Sequence, residues 1–274
     1  MGMEIIHGTT YNQWMPLNPG VTIYSGSLVC LDQSAIATDE GVICLPVPQG
    51  VNSLTNKDVP LGIVIDNNLR HKVFNTTYHK SYITDEGVTG PQVSTTEYVL
   101  HGSDVYPFGE RRAMVKVARI FPDTVIKAPI RLGNNYTNIT LLTSTTSASR
   151  VTITSSAACG FTPVQGQATI YFRTGANAGI YRTTDDTSDT VATWDVYTPN
   201  ATAVGDTFVR VPVKPWGPSY VYLGDGTTCD FISGAASPAS HYWCVYIIKL
   251  DLSEPGNEHA YFTFDPSCFQ HNRA

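Results

Sequence analysis

The sequence predicts an all-β protein, and three observations carry that prediction. Its apolar runs are short, rich in Val, Ile, Thr, Tyr and Phe, and broken about every eight to twelve residues by Gly, Pro, Asn or Asp. No segment sustains the helical period of about 3.6 residues. In the second half Thr alternates with apolar residues, as in Val151-Thr152-Ile153-Thr154, the pattern of strands with one buried face.

Residues 1–19 read as an extended N-terminal arm, because Pro16 and Pro19 flank Leu17 and Asn18 and cannot join a central ladder. Strands follow at Val21–Tyr24, Ser27–Leu31, Gly41–Pro46 and Val59–Ile65, with a turn at Ser25-Gly26 and a polar loop from Gln49 to Lys57. Further strands are expected at 70–78, 96–101 and 112–120, with a long surface loop over 79–95. Phe121-Pro122-Asp123 and Ala128-Pro129 bracket the expected linker. Beyond it, strands are expected at 139–142, 151–154, 169–172, around Tyr181, and at 191–196, 208–213, 220–223, 242–250 and 260–264. Lys214-Pro215-Trp216-Gly217-Pro218 reads as a loop and Ser253–Asn257 as a turn. The expected organisation is therefore an arm (1–19), a first β domain (20–125) and a C-terminal β-sandwich or barrel domain (126–274).

Composition narrows the function. The 274 residues include only 15% charged side chains, against roughly 25% in ordinary soluble chains. A surface built from Thr, Ser, Asn, Gly and Tyr packs laterally with little charge to desolvate. A net charge of −6 argues against a nucleic-acid partner, which requires a basic face. The one basic cluster, Arg111-Arg112 with Lys116 and Arg119, reads as a solvated face. No run of about 18 apolar residues occurs, so no membrane span is expected. The first residues lack a basic region followed by an apolar core, so neither a secretory signal nor disulfides are expected.

Motifs for chemistry are weak. The cysteines (30, 44, 159, 229, 244 and 268) form no Cys-x-x-Cys pair. His71 and His79 would lie about 25 Å apart on one extended strand and could share a metal only across a hairpin turn. Asp185-Asp186-Thr187-Ser188-Asp189 lacks the Gly and closing Glu of a calcium loop and reads as a turn. No Gly-x-Ser-x-Gly elbow occurs, and Ser240 and His241 are adjacent, so on a strand they point apart. Gly175–Gly179 is Gly-rich but precedes no helix that could hold a phosphate. No cofactor, metal or catalytic residue is expected. Of the four tryptophans, Trp194 and Trp243 fall in strand-like runs and read as core. Trp14 and Trp216 fall in Pro-rich segments, where an aromatic either plugs its own domain or anchors a partner.

From Val21 to Asn68 the chain resembles head-decoration proteins of tailed bacteriophages. The resemblance rests on Thr22-Ile23-Tyr24-Ser25-Gly26-Ser27-Leu28-Val29-Cys30-Leu31-Asp32 and on Val59-Pro60-Leu61-Gly62-Ile63-Val64-Ile65-Asp66-Asn67-Asn68, and extends to Tyr106–Glu110 and the strand after it. It implies a β-tulip or barrel-like first domain, a homotrimer on the head lattice, and an N-terminal arm that clamps the shell. A second stretch, Gly175–Arg182 with Ala203–Phe208, resembles β-modules of phage structural proteins. Simple decoration proteins are about half this length, so the C-terminal half is an addition.

The resulting expectation is a non-enzymatic virion protein, made in the host cytoplasm, that sits on the capsid surface. It would cement adjacent major capsid protein subunits and associate with itself. The alternatives are a tail or fibre protein binding a receptor or glycan, with Trp216, Tyr220 and Tyr222 stacking on sugar rings, and a glycan hydrolase using two carboxylates. The expected interface residues are Tyr11, Trp14, Met15, Leu17, Trp216 and Tyr220.

Overall fold

The computed structural model describes residues 2–16, 21–24, 26–31, 44–46, 59–66, 71–73, 76–78, 82–85, 114–131, 139–147, 150–156, 168–184, 188, 190–194, 198–222, 229–231 and 243–269. They form an all-β protein, with one short 3-10 turn at Pro266–Phe269. No helix among them is long and apolar enough to cross a membrane.

Three sheets carry the architecture, with strands numbered in chain order. The edge sheet is six-stranded, ordered β1 (Glu4–His7), β11 (Val125–Pro129), β21 (His259–Phe264), β20 (Trp243–Asp251), β18 (Gly217–Tyr222) and β19 (Asp230–Phe231). The N-terminal sheet is five-stranded: β2 (Asn12–Pro16), β10 (Met114–Arg119), β6 (Val59–Asp66), β4 (Leu28–Leu31) and β5 (Cys44–Pro46). The middle sheet runs β15 (Tyr181–Thr184), β14 (Ala168–Phe172), β17 (Thr207–Val211), β12 (Ile139–Ser147), β13 (Arg150–Ser155) and β16 (Val191–Trp194). Among the described residues there are also two two-stranded pairs: β3 (Val21–Tyr24) with the distant β9 (Tyr82–Asp85), and the neighbours β7 (His71–Val73) and β8 (Thr76–Tyr78).

The middle sheet curls around its own core. Its terminal strands β15 and β16 lie beside one another, and the enclosed cluster includes Leu141, Ile153, Ile170, Phe172, Trp194 and Phe208. β17 is buried on both faces: Phe208 points into this cluster, while Val209 and Val211 join a second, larger core. That double burial explains its nearly unbroken apolar run. Arg210 interrupts the run, yet it is buried too, and its guanidinium donates to the carbonyls of Ser188 (2.9 Å) and Val191 (3.2 Å). It thereby ties the central strand to the approach to β16.

The larger core joins all three sheets. It combines Met3, Leu28, Ile63 and Ile120 with Ile126, Val245, Ile247, Phe262 and Phe264, and with Val209, Val211 and Val213. A buried ion pair, Arg173 to Glu258, links the end of β14 to the turn between β20 and β21. Beside it, the Tyr181 hydroxyl accepts a hydrogen bond from Leu252 N at 2.9 Å. Burial pushes the Tyr181 phenol above its usual pKa.

Several expectations need correction. The expected extended arm enters two sheets over much of its length. β1 pairs with β11, and β2 pairs with β10. Met3 is buried in the larger core, and its N–H donates to Gly26 O at 2.8 Å. Gly26 sits at φ 81°, and a Cβ there would meet Gly2 Cα at 2.8 Å, so the backbones touch. The proline constraint still operates, because Pro16 ends a strand at the edge of its sheet.

The linker at 121–129 is also a strand in its second half. β11 alternates half-buried and buried residues, and Pro129 lies opposite His259 at its end. Hydrogen bonding therefore crosses the 125/126 boundary, since β1 from the start of the chain belongs to the sheet that holds β18 to β21. Within the expected 79–95 loop, residues 82–85 pair as β9 with β3. Gly217 and Pro218, expected in a loop, open β18. The strand expected at 96–101, the Tyr106–Glu110 segment, four of the five residues 185–189, and Ser240-His241 lie outside the described residues.

Candidate binding surfaces

Two exposed places on the molecule combine large apolar side chains with fixed backbone. The first is where the chain crosses between sheets. β1 and β2 leave the edge sheet for the N-terminal sheet as β10 and β11 make the return crossing alongside them. The two crossings are clasped: Thr9 N and Oγ1 both donate to Asp123 Oδ2 (3.0 and 2.7 Å), and Thr124 Oγ1 donates to Thr9 O at 2.7 Å. The Thr9 hydrogen bonds hold the Asp123 carboxyl below its usual pKa. Tyr11, 49% exposed, stands at this bend. Its ring lies 5.8 Å from that of Phe121, and the Arg119 guanidinium sits 5.6 Å from its centroid. Arg119 also donates to Gln13 Oε1 at 3.1 Å, so the cation is held over the ring.

Ile6, half exposed, lies on β1 near this bend. β1 and β2 are terminal strands, so among the described residues no strand pairs with their outer edges. Of the interface residues expected from sequence, Trp14 and Met15 lie in β2, opposite Lys116 and Val115. Tyr11 immediately precedes β2, and Leu17 lies outside the described residues.

The second place is at the far side of the edge sheet. Trp216 is 72% exposed and has φ 61°, the one positive φ of a non-glycine residue among those described. A bulky side chain in this left-handed region is strained, by about 1–2 kcal/mol. Two hydrogen bonds hold the conformation. Trp216 N donates to Ile247 O at 2.7 Å, and the Tyr246 hydroxyl donates to Trp216 O at 3.0 Å. Tyr246 is itself exposed and lies opposite Pro218 in the β18–β20 ladder. The aliphatic stem of Lys214 lies against Gly217, where a Cβ would meet Lys214 Cε at 3.1 Å. Tyr220, the remaining expected interface residue, is two positions along β18, opposite Cys244. Burial, with Asp265 nearby, raises the pKa of the half-buried Cys244 thiol and makes it a poor nucleophile.

A charged row separates the two places. Lys249, Tyr261, Lys127 and Glu4 lie opposite one another in turn across β20, β21, β11 and β1. Lys249 Nζ sits 5.2 Å from the Tyr261 ring centroid. β18 is four strand spacings from β1, or about 19 Å. The structure therefore splits the five expected residues it describes: Tyr11, Trp14 and Met15 lie along the chain at one place, and Trp216 and Tyr220 at the other.

The Gly-rich stretch 175–179 is a turn held by side chains. Asn177, fully buried, donates to Asn200 O and accepts from Asn200 N (3.0 and 3.1 Å), and Asn200 donates to Ala176 O at 2.8 Å. Gly175 is required there, because its φ is 81° and a Cβ would lie 2.1 Å from Asp206 Oδ1. β7 and β8 pair antiparallel between the two histidines, with His71 opposite Tyr78 and His79 outside the described residues. No group of three or more His, Cys, Asp or Glu among the described residues could hold a metal ion.

Sequence reasoning missed Arg119, Phe121 and Tyr246. The Tyr11–Arg119 contact joins residues over 100 positions apart, and no local pattern signals it. Tyr246 lay inside a run expected to be a strand, where alternation with Val245 and Ile247 does mark it as outward-facing. No protein-family model matches the chain, and neither a curated protein nor a solved structure matches it significantly.

Proposed function

We propose that this chain is a structural virion protein that binds the outside of a tailed-phage capsid and cements adjacent major capsid subunits, as a homotrimer and without catalysis. The observation that carries this reading is the pair of strand edges near the N-terminus that no described strand covers. β1 and β2 end two different sheets and meet at one clasped bend, with exposed Ile6 on β1 and exposed Tyr11 in the bend itself. An open edge offers backbone donors and acceptors to a strand from a neighbouring subunit, and flanking apolar side chains add specificity. The resemblance of Val21–Asn68 to head-decoration proteins supports the identity of that neighbour. Of the stretches that carry it, Thr22–Tyr24 lies in β3, which pairs with β9, while β4 and β6 pair with each other and put Leu28 and Ile63 in the larger core. The low charge of the chain supports it further, because burying such a surface against a shell desolvates few ions.

Deleting the first 19 residues is not a clean test, since Met3 belongs to the core. Substitutions at exposed positions are cleaner. Purified protein should co-sediment stoichiometrically with capsids lacking this subunit. Ile6→Glu with Tyr11→Ser should reduce that binding at least ten-fold while leaving the thermal midpoint unchanged. Failure of the wild-type protein to bind such shells, or full binding by the double variant, would count against this function.

A further inference from the structure

We infer that Trp216 and Tyr246 form a platform for a pyranose ring of a saccharide, separate from the capsid contact. Three observations lead there. The indole is 72% exposed although its backbone occupies a conformation that favours glycine. Neither exposure nor strain helps the fold, and strained residues cluster where a ligand is held. The backbone is nonetheless fixed, by Ile247 O on one side and the Tyr246 hydroxyl on the other. A preorganised aromatic loses little entropy when a ligand stacks on it.

Size selects the occupant. With Trp216 72% and Tyr246 40% exposed, the two side chains offer on the order of 250 Å² of contact surface. Among the described residues that area is well short of the roughly 800 Å² each partner gives a stable protein–protein interface, and the charged row of Lys249, Lys127 and Glu4 bounds the patch on its β1 side. One or two sugar rings fit that area. The C–H face of a pyranose stacks on an aromatic ring, and its hydroxyls need hydrogen-bonding groups at the edge. The Tyr246 oxygen donates its proton to Trp216 O, which leaves its lone pairs free to accept from a sugar hydroxyl. Lys249, on the same strand as Tyr246, and Tyr261, opposite it on the next strand, carry further polar groups along this sheet. The inference does not depend on cementing: a protein that never met a capsid would still bind the sugar.

The test uses the full chain and an array carrying maltohexaose, cellohexaose, chitohexaose and galactohexaose, with saturation-transfer NMR on whichever binds. The wild type should bind at least one of these. Trp216→Ala should weaken binding ten-fold or more, Trp216→Tyr only a few-fold, and Ile6→Glu not at all. Trp216→Ala should still bind capsids. The inference is overturned if no hexasaccharide binds the wild type, if Trp216→Ala binds as tightly as wild type, or if Trp216→Ala loses capsid binding while Ile6→Glu keeps it.

Discussion

Trp194 and Trp216 belong to the same chain and meet opposite fates. Trp194 is 2% exposed, at the end of β16 inside the curled middle sheet, with its ring edge-on to Phe172 at 6.0 Å. Trp216 lies just before β18, 72% exposed and at positive φ. The first fills a closed sheet whose strands cover one another. The second stands at the rim of an open sheet whose outward face carries Lys249, Tyr261, Lys127 and Glu4. A closed sheet spends its aromatics on packing. An open one leaves aromatics and strand edges available for contacts outside the chain.

The largest effect that sharpens this contrast is on stability. Trp194→Ala should cost about 3–5 kcal/mol, by analogy with other large-to-small core changes, seen as a drop in the urea midpoint. Its indole N–H finds no acceptor among the described residues, so Trp194→Phe removes an unsatisfied polar group together with some packing. Its net cost should be only about 1 kcal/mol. Equal losses for both variants would mean that the N–H has a partner.

Next in size is the joint between the two kinds of sheet. Arg173 and Glu258 are each at most 5% exposed, and Leu252 O also accepts from Arg173, at 3.3 Å. Glu258→Gln should cost about 3 kcal/mol, because it removes the opposite charge from a buried guanidinium. Arg173→Met combined with Glu258→Leu should recover most of that loss, since an apolar pair avoids the desolvation penalty. A double variant as unstable as Glu258→Gln would show that the pair supplies more than mutual neutralisation.

Strands whose burial comes from their own alternation were legible in the sequence. The Thr-alternating runs of the middle sheet and the apolar run of β6 fell where expected, because a half-buried or fully buried strand writes its pattern locally. Elements whose pairing partner lies far away were not legible. Glu4–His7 shows no buried residue in its own pattern and is held by pairing to β11, more than 100 residues on. Val125–Pro129 was hidden by Pro122 before it and by Pro129 at its own end. Arg210 could not be foreseen as a buried cation, because its acceptors are backbone carbonyls of another strand and its approach. At the candidate surfaces, Trp216 could be singled out by its Pro-rich setting, which left open whether it plugs or projects. The 72% exposure decides for projection.

The smallest effect bears most directly on function. If Trp216 is held at φ 61° for a ligand, the fold gains nothing from the indole, and glycine should be accepted there. Trp216→Gly relieves about 1 kcal/mol of left-handed strain, partly offset by the greater freedom of glycine in the unfolded chain. The two hydrogen bonds at residue 216 use its backbone N–H and carbonyl, so both survive the substitution. The thermal midpoint should stay level or rise by up to about 3 °C. A fall of several degrees would mean that the indole packs against its own protein, and Trp216 would then resemble Trp194 in role despite its exposure. An unchanged midpoint with loss of sugar binding would place the strain of Trp216 on the side of recognition.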